Sequence, residues 1–343
     1  MADVFLKEGK CFIVAELSAN HGGDIEIAKK TIRAAKKAGA DAIKLQTYTA
    51  DTITLDVKND YFKIKQGTFW DGKYLYDLYK EAFLPWSWHK ELFQLAKEVG
   101  LVCFSSPFDK TSIDFLEELG NPIYKIASFE ITDIPLIEYA ASRSKPVFIS
   151  IGIADISDIE LAIATCKKAG NDNITLLQCT SEYPALVTDA NLLTIPDIVK
   201  RFGVNAGLSD HTLGAEVPVL GVALGAKVIE KHFILNKEIG GVDAHFSLDE
   251  REFSVMVEAI RKAEKIMGQV NYEMTEKKKK SKEFSKSIFV SEDIKKGEML
   301  TEKNIRVIRP GFGLHPKYFK EILGKQANAD IKKGTPFNIN FIK

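Results

Sequence analysis

A chain of 343 residues has room for a barrel of about 250 residues with a small domain appended to it. Lys and Arg number 47, as do Asp and Glu, so no global charge draws the protein to nucleic acid or to an anionic membrane. No apolar run reaches the roughly 18 residues of a membrane span, and the N-terminus lacks a charged-then-apolar signal pattern, so a soluble, cytoplasmic protein is expected. Cys11, Cys103, Cys166 and Cys179 show no CxxC spacing, which favours buried free thiols over disulfides or a zinc site.

The first 250 or so residues repeat one theme: a short apolar run ending in polar residues, an amphipathic stretch, then glycine. Strands are predicted over 11–17, 41–47, 101–106, 123–128, 146–151, 174–180, 205–209 and 227–234. Their nearly continuous apolar character suits parallel strands buried on both faces. Asp24 is the expected N-cap of a helix whose apolar face is Ile25, Ala28, Ile32 and Ala35. Gly39, Gly100, Gly120, Gly170, Gly203 and Gly225 stand where a helix must end in a left-handed residue. The last helix of the series shows a capping-box spacing from Ser247 to Glu250, followed by the stripe Phe253, Met256, Val257 and Ile260. Eight such units predict an α/β fold, a (β/α)8 (TIM) barrel over residues 1–268, with an open doubly wound sheet as the alternative. The absence of GxGxxG and GxxxxGK[ST] weighs against a nucleotide-binding sheet.

Residues 50–85 interrupt the rhythm with Tyr61, Phe62, Phe69, Trp70, Tyr74, Tyr76, Tyr79 and Phe83. A long connection this aromatic reads as a lid or wall of a site, or as a packed surface excursion. Residues 269–286, with Lys277 to Lys280, read as an exposed linker. From Ser287 to Lys343 a small module repeats Asp293-Ile294-Lys295-Lys296-Gly297 as Asp330-Ile331-Lys332-Lys333-Gly334, which predicts a pseudo-symmetric, β-rich or irregular domain.

In a barrel the strand C-terminal ends converge on the active site. Here every end is polar: Glu16, Ser18 and Asn20; Lys44 and Gln46; Ser105 and Ser106; Lys125, Ser128 and Glu130; Ser150; Thr180, Ser181 and Tyr183; Ser209, Asp210 and His211; Glu230, Lys231 and His232. His211 and His232 end adjacent strands and could share one metal ion with open positions for substrate, or each could serve as an ordinary hydrogen-bonding residue. Lys44 and Lys125, with nearby serine hydroxyls, suit phosphate and carboxylate. Lys125 has the opposite strand parity to Ser128, so both face the site only if the chain bulges; otherwise Lys125 snorkels to solvent. Glu16 is a general-base candidate or a plain ion-pair partner. Ser209-Asp210-His211 is no catalytic triad, since consecutive strand residues point to opposite faces. Strand six has no lysine, which disfavours a Schiff-base aldolase with its lysine there.

The segments Ala15-Glu16-Leu17-Ser18-Ala19-Asn20-His21-Gly22, Lys44-Leu45-Gln46-Thr47, Ser105-Ser106-Pro107-Phe108, Tyr124-Lys125-Ile126-Ala127-Ser128, Leu208-Ser209-Asp210-His211 and Glu230-Lys231-His232-Phe233 resemble the sialic acid synthase family. The C-terminal module, with Arg309-Pro310-Gly311, resembles that family's antifreeze-like (SAF) domain. The resemblance implies a divalent metal on His211 and His232, manganese first, with magnesium or cobalt as alternatives. It implies phosphoenolpyruvate on Lys44, Ser106, Lys125, Ser128, Ser150 and Ser209, and an amino-sugar aldose on Gln46, Glu130, Tyr183 and Asp243. Glu16 would position or deprotonate the attacking water, and Arg309 would reach the sugar from a partner subunit in a domain-swapped homodimer. Family members that use N-acetylmannosamine show Glu-x-Gly-x-Asn-His and an Asn after the Cys-Thr of strand six. Ser18 and Ser181 depart from both, and resemble the branch that makes pseudaminic acid. An N-acetylneuraminate or legionaminate synthase is the alternative. A different class, a carbohydrate-binding or ice-binding module on a barrel scaffold, would not need the polar strand ends.

Overall fold

Strands with two faces to bury close most fully when the sheet meets its own edge. In the computed structural model, which describes residues 5–65, 67 and 70–342, the eight strands are β1 (Phe12–Glu16), β2 (Ala42–Thr47), β3 (Val102–Pro107), β4 (Tyr124–Ile126), β5 (Val147–Ser150), β6 (Ile174–Cys179), β7 (Asn205–Asp210) and β8 (Val228–His232). All are parallel, each pairs with the next, and β1 pairs with β8, so the sheet is a closed barrel and not an open one. The chain divides into two compact units, Met1–Gly268 and Gln269–Lys343.

Helices α1 (Ile25–Lys37), α2 (Ala50–Ile53), α3 (Leu75–Ala82), α4 (Trp86–Glu98), α5 (Lys110–Glu118), α6 (Ile134–Ala141), α7 (Ile156–Lys168), α8 (Thr194–Phe202), α9 (Glu216–Ala223) and α10 (Glu250–Met267) fill the connections. Asp24 caps α1, its side chain accepting from Glu26 N. The six inter-element glycines all have φ between 66° and 101°, a region that costs other residues strain. The expected cap at Ser247 is corrected: Asp249 caps α10, in a reciprocal box with Glu252. Ser247 is buried two residues earlier, where its hydroxyl accepts from Asn20 and donates to the Asp243 carbonyl.

Strand alternation sorts side chains into two cores. Ile13, Ala15, Ile43, Leu45, Ile149, Leu176 and Ile229 point outward and pack with the helices. Phe12, Val14, Ala42, Phe104, Phe148, Leu177 and Val228 point inward and plug the lower barrel. Two residues further along the same strands the inward positions turn polar: Glu16, Lys44, Ser106, Ser150 and Glu230, all buried. The apolar plug therefore floors a polar layer. In the second unit, the residues read as a linker are exposed and include a short helix, α11 (Glu276–Lys282).

Strands β9 (Ser287–Val290) and β10 (Ile305–Ile308) pair antiparallel over a separate core of Ile288, Val290, Ile294, Leu300, Ile305, Ile331 and Phe337. The repeated Asp-Ile-Lys-Lys-Gly segments face each other across the Ile294–Ile331 bridge. Asp293 accepts from Lys333 N and Asp330 from Lys296 N, both at 2.8 Å, a reciprocal arrangement that the sequence echo predicts.

Candidate active site

The polar layer is organised around Lys44. Its Nζ lies 3.2 Å from Glu16 Oε2 and 3.1 Å from Glu230 Oε1, and donates to Ser106 Oγ at 3.3 Å. Ser209 donates to Glu230 at 3.3 Å, and Gln46 Nε2 donates to Glu16 Oε1 at 2.9 Å. Burial pushes Glu16 up to about 7 against the pull of Lys44. Burial acts the same way on Glu230, but Lys44 and Lys125 together outweigh it and hold that carboxyl below its usual value. One carboxylate of the pair thus stays ionised while the other can exchange a proton near neutrality.

Lys125 does not snorkel to solvent. It is 1% exposed, and its Nζ donates to Ser150 Oγ at 2.7 Å and to the Ile126 carbonyl at 2.9 Å. Burial lowers its pKa. The parity conflict with Ser128 is removed because β4 ends at Ile126 and residues Ser128–Glu130 form a 3-10 turn. Ser128 Oγ then accepts from Ser181 Oγ at 2.8 Å and from Ile153 N at 3.1 Å. A Cβ on Gly152 would lie 2.3 Å from Ser181 Oγ and 2.8 Å from Ser128 Oγ, so only glycine permits this close approach.

His211 and His232 come together with ring centroids 5.3 Å apart. His211 Nδ1 donates to the Thr180 carbonyl at 2.8 Å, which leaves Nε2 as the lone-pair nitrogen in the neutral tautomer. Burial acts to lower His211, but Cys179, whose sulfur lies 3.9 Å from Nδ1, helps raise its pKa above the usual value. Burial and the neighbouring His211 keep His232 well below it. Tyr183 packs 4.5 Å from the His211 ring and Phe246 packs 4.8 Å from the His232 ring. Asp210 turns away from His211 and pairs with Lys231 and Thr212, as the strand alternation requires of a non-triad.

Above this layer opens a cavity of about 410 Å³, lined by Ser18, Gln46, Glu130, Tyr183, His232 and Asp243 on its polar side. Tyr48, Ile53, Ile64, Leu78, Tyr79 and Phe108 form much of its apolar side. The β1-side polar residues and the 50–85 insertion therefore share one space, and the insertion is a wall of it. Of the insertion aromatics, Tyr61, Trp70 and Tyr79 line the cavity; Phe69 lies outside the described residues. Burial holds Glu130 up to about 7. Glu130 Oε2, Glu230 Oε2 and His232 Nδ1 are buried without a hydrogen-bond partner, a concentration of unsatisfied polar atoms suited to a ligand site. Arg309 is exposed in the second unit, where Gly311 and Gly313 approach the backbones of Lys282 and Ile288 too closely for any Cβ.

Glu230 sits at the centre of the layer, yet its strand-end position alone suggests no role for it. Its signal was present: Val228, Glu230 and His232 share one parity, so placing His232 inside the barrel places Glu230 there too.

Two buried lysines, a carboxylate pair and two imidazoles at the C-terminal mouth of a closed parallel barrel define a (β/α)8-barrel enzyme. The chain belongs to the NeuB family, whose model matches residues 31–272, and an SAF domain model matches residues 285–342. The pseudaminic acid synthase of Helicobacter pylori is 49% identical over 332 residues, covering 96% of this chain and 97% of that protein. The N,N'-diacetyllegionaminic acid synthase of Legionella pneumophila is 38% identical over 337 residues, covering 95% and 92%. The crystal structure of the N-acetylneuraminic acid synthetase of Leptospira borgpetersenii superposes with a TM-score of 0.70 at 32% identity, covering 79% of this chain and 90% of that one. No helix among the described residues is long and apolar enough to cross a membrane.

Proposed function

We propose that this chain is a transferase that condenses phosphoenolpyruvate with 2,4-diacetamido-2,4,6-trideoxy-L-altrose and water, giving pseudaminic acid and phosphate. The observation that carries the reading is the junction of two spaces. A cavity with a long apolar wall is lined by Gln46, whose amide donates to Glu16 in the buried polar layer, and by His232, one of the two imidazoles at that end of the barrel. The lower layer suits a small acid bearing a phosphate and a carboxylate, and the upper cavity suits a sugar bearing a methyl and two acetamido groups. The higher identity to the Helicobacter pylori protein than to the Legionella pneumophila one favours the trideoxy-altrose substrate.

Lys44 and Lys125, with Ser106, Ser128, Ser150 and Ser209, would hold the phosphate and carboxylate of phosphoenolpyruvate. Gln46, Glu130, Tyr183 and Asp243 would bind the sugar from the cavity wall. C3 of phosphoenolpyruvate attacks the open-chain aldehyde carbon, the carbonyl π pair passes to the aldehyde oxygen, which takes a proton to become a hydroxyl, and positive charge develops at C2. Glu16, with a pKa near neutrality, takes a proton from the water that adds to C2; phosphate then leaves and the 2-keto acid forms. The ionised Glu230 balances the charge of Lys44 throughout.

The donor set fits a divalent metal with open positions. His211, whose Nδ1 bond to the Thr180 carbonyl leaves Nε2 as the lone-pair nitrogen, and His232, its ring 5.3 Å away, would hold it, with the other ligands from substrate and water. When bound, the ion supplies Lewis-acid polarisation of the sugar carbonyl. Manganese is the proposed ion, and a homodimer in which Arg309 serves a partner's site is the proposed assembly.

The test is phosphate release from phosphoenolpyruvate by metal-stripped protein, with and without manganese. The sugars are the trideoxy-altrose, its legionaminic counterpart and N-acetylmannosamine. Metal-dependent release with the first sugar alone supports the reading. Release with another sugar overturns the specificity, and silence from folded protein with all three overturns the synthase itself.

A further inference from the structure

Ser18, at the exit of β1, has φ 48°, one of three positive-φ non-glycine residues in the described chain. That region strains a side-chain-bearing residue, whereas glycine adopts it freely. A strained serine where glycine would relax the turn points to a use for its hydroxyl.

The hydroxyl joins the two halves of the site. Ser18 Oγ donates to Asp243 Oδ2 at 2.5 Å and accepts from Gln46 Nε2 at 3.0 Å. The same Gln46 nitrogen donates to Glu16 at 2.9 Å. Ala19 N donates to Asp243 Oδ2 at 3.5 Å, and that oxygen lies 3.9 Å from His232 Nδ1. Ser18 and Asp243 are both buried, and both line the cavity. A continuous series of contacts therefore runs from Glu16 through Gln46, Ser18 and Asp243 to His232. The two loops are fastened independently: Asn20 Nδ2 donates to the Phe233 carbonyl and to Ser247 Oγ, and Ser247 Oγ donates to the Asp243 carbonyl. Loss of the Ser18 hydroxyl would remove the shorter of the two hydrogen bonds on the Asp243 carboxylate, leaving the 3.5 Å one from Ala19 N, without separating the loops.

We propose that Ser18 is a positioning residue for the condensation, fixing the Asp243 carboxylate on the cavity wall and tying it through Gln46 to Glu16. The proposal rests on the functional reading above for what the cavity holds. A hydrogen bond to a charged group in such a site corresponds to roughly 10- to 100-fold in rate.

The experiment compares Ser18→Ala, Ser18→Gly, Asp243→Asn and the double variant Ser18→Ala/Asp243→Asn in the full chain. Phosphate release is followed while each substrate is varied in turn, and thermal melting is recorded for each protein. The expected result is a loss of roughly 10- to 100-fold in kcat/KM for the sugar in both Ser18 variants, with KM for phosphoenolpyruvate unchanged. Ser18→Gly should melt at or above Ser18→Ala, because glycine relaxes the backbone, yet share its kinetic loss. The double variant should be no slower than Asp243→Asn. Wild-type rates in Ser18→Gly, parallel rises in both KM values, or multiplying losses at Ser18 and Asp243 would each overturn the proposal. An inactive wild-type protein would instead overturn the functional reading, which keeps the two failures apart.

Discussion

Glu16 and His232 are direct partners across the β1–β8 seam that closes the barrel. Paired residues on adjacent parallel strands share a face, so closure brings the candidate base beside the candidate metal ligand. The two are 216 positions apart in sequence and meet only in the finished barrel. With Glu16 pushed up to about 7 and acting as a base, kcat/KM should rise with pH through neutrality as the carboxyl loses its proton. Glu16→Gln should abolish that limb and lower turnover by roughly 10²–10⁴-fold. A pH–rate profile of both proteins checks this, and an unchanged limb in the variant would assign the titration elsewhere.

Lys44 is the only cation within hydrogen-bonding reach of both Glu16 and Glu230 among the described residues. Its removal leaves two buried carboxyls without their shared counter-charge. Lys44→Met should lower unfolding free energy by about 3–5 kcal/mol, less if one carboxyl takes up a proton, and should eliminate phosphate release. Urea denaturation near pH 7 measures the first effect. Wild-type stability would mean that the carboxyl pair does not need the lysine.

Much of this was legible in the sequence because a strand's parity and its C-terminal end are local properties. Lys44 and Gln46, Ser209 and His211 fell on shared faces by counting alone. Lys125 with Ser128 resisted counting, since β4 is only three residues long and a turn follows it. The cap of α10 was misplaced because Ser247 and Asp249 both offer the right spacing, and only burial decides that Ser247 serves the β1 loop instead. The insertion's role depends on which aromatics meet β6 and β8 loops, a tertiary fact with no periodic signal. Trp70 shows the point, reaching Val242 and Tyr183 from 172 and 113 residues away.

Trp70 also gives a prediction for the cavity wall. Its indole N–H donates to the Val242 carbonyl at 3.3 Å, and its ring lies 5.8 Å from that of Tyr183. Trp70→Ala removes wall area next to the Asp243 loop without touching the lysine layer. KM for the sugar should rise about 10-fold, the loss expected for roughly 1.5 kcal/mol of apolar contact. KM for phosphoenolpyruvate should stay within twofold. Steady-state kinetics with each substrate varied separates the two, and an equal rise in both would place Trp70 in support of the whole barrel mouth.

His89 gives the scaffold an acid sensitivity of its own, apart from the site. The ring is fully buried, with Nδ1 donating to the Pro85 carbonyl at 3.3 Å and Nε2 2.9 Å from the Thr47 hydroxyl. These partners satisfy the neutral ring, and burial lowers its pKa from the usual 6.5 to about 4. The unfolded chain therefore binds a proton at a pH where the folded chain does not. The stability from burying the neutral ring is complete above pH 6.5 and drains away as the pH falls toward 4, by about 3 kcal/mol in all. Unfolding free energies measured from pH 7.5 to 4 should show this loss, and His89→Gln, which cannot titrate, should remove that share of the slope. An identical pH dependence in the variant would mean that buried carboxyls and the other histidines govern the acid limb, and that His89 is protonated at no cost.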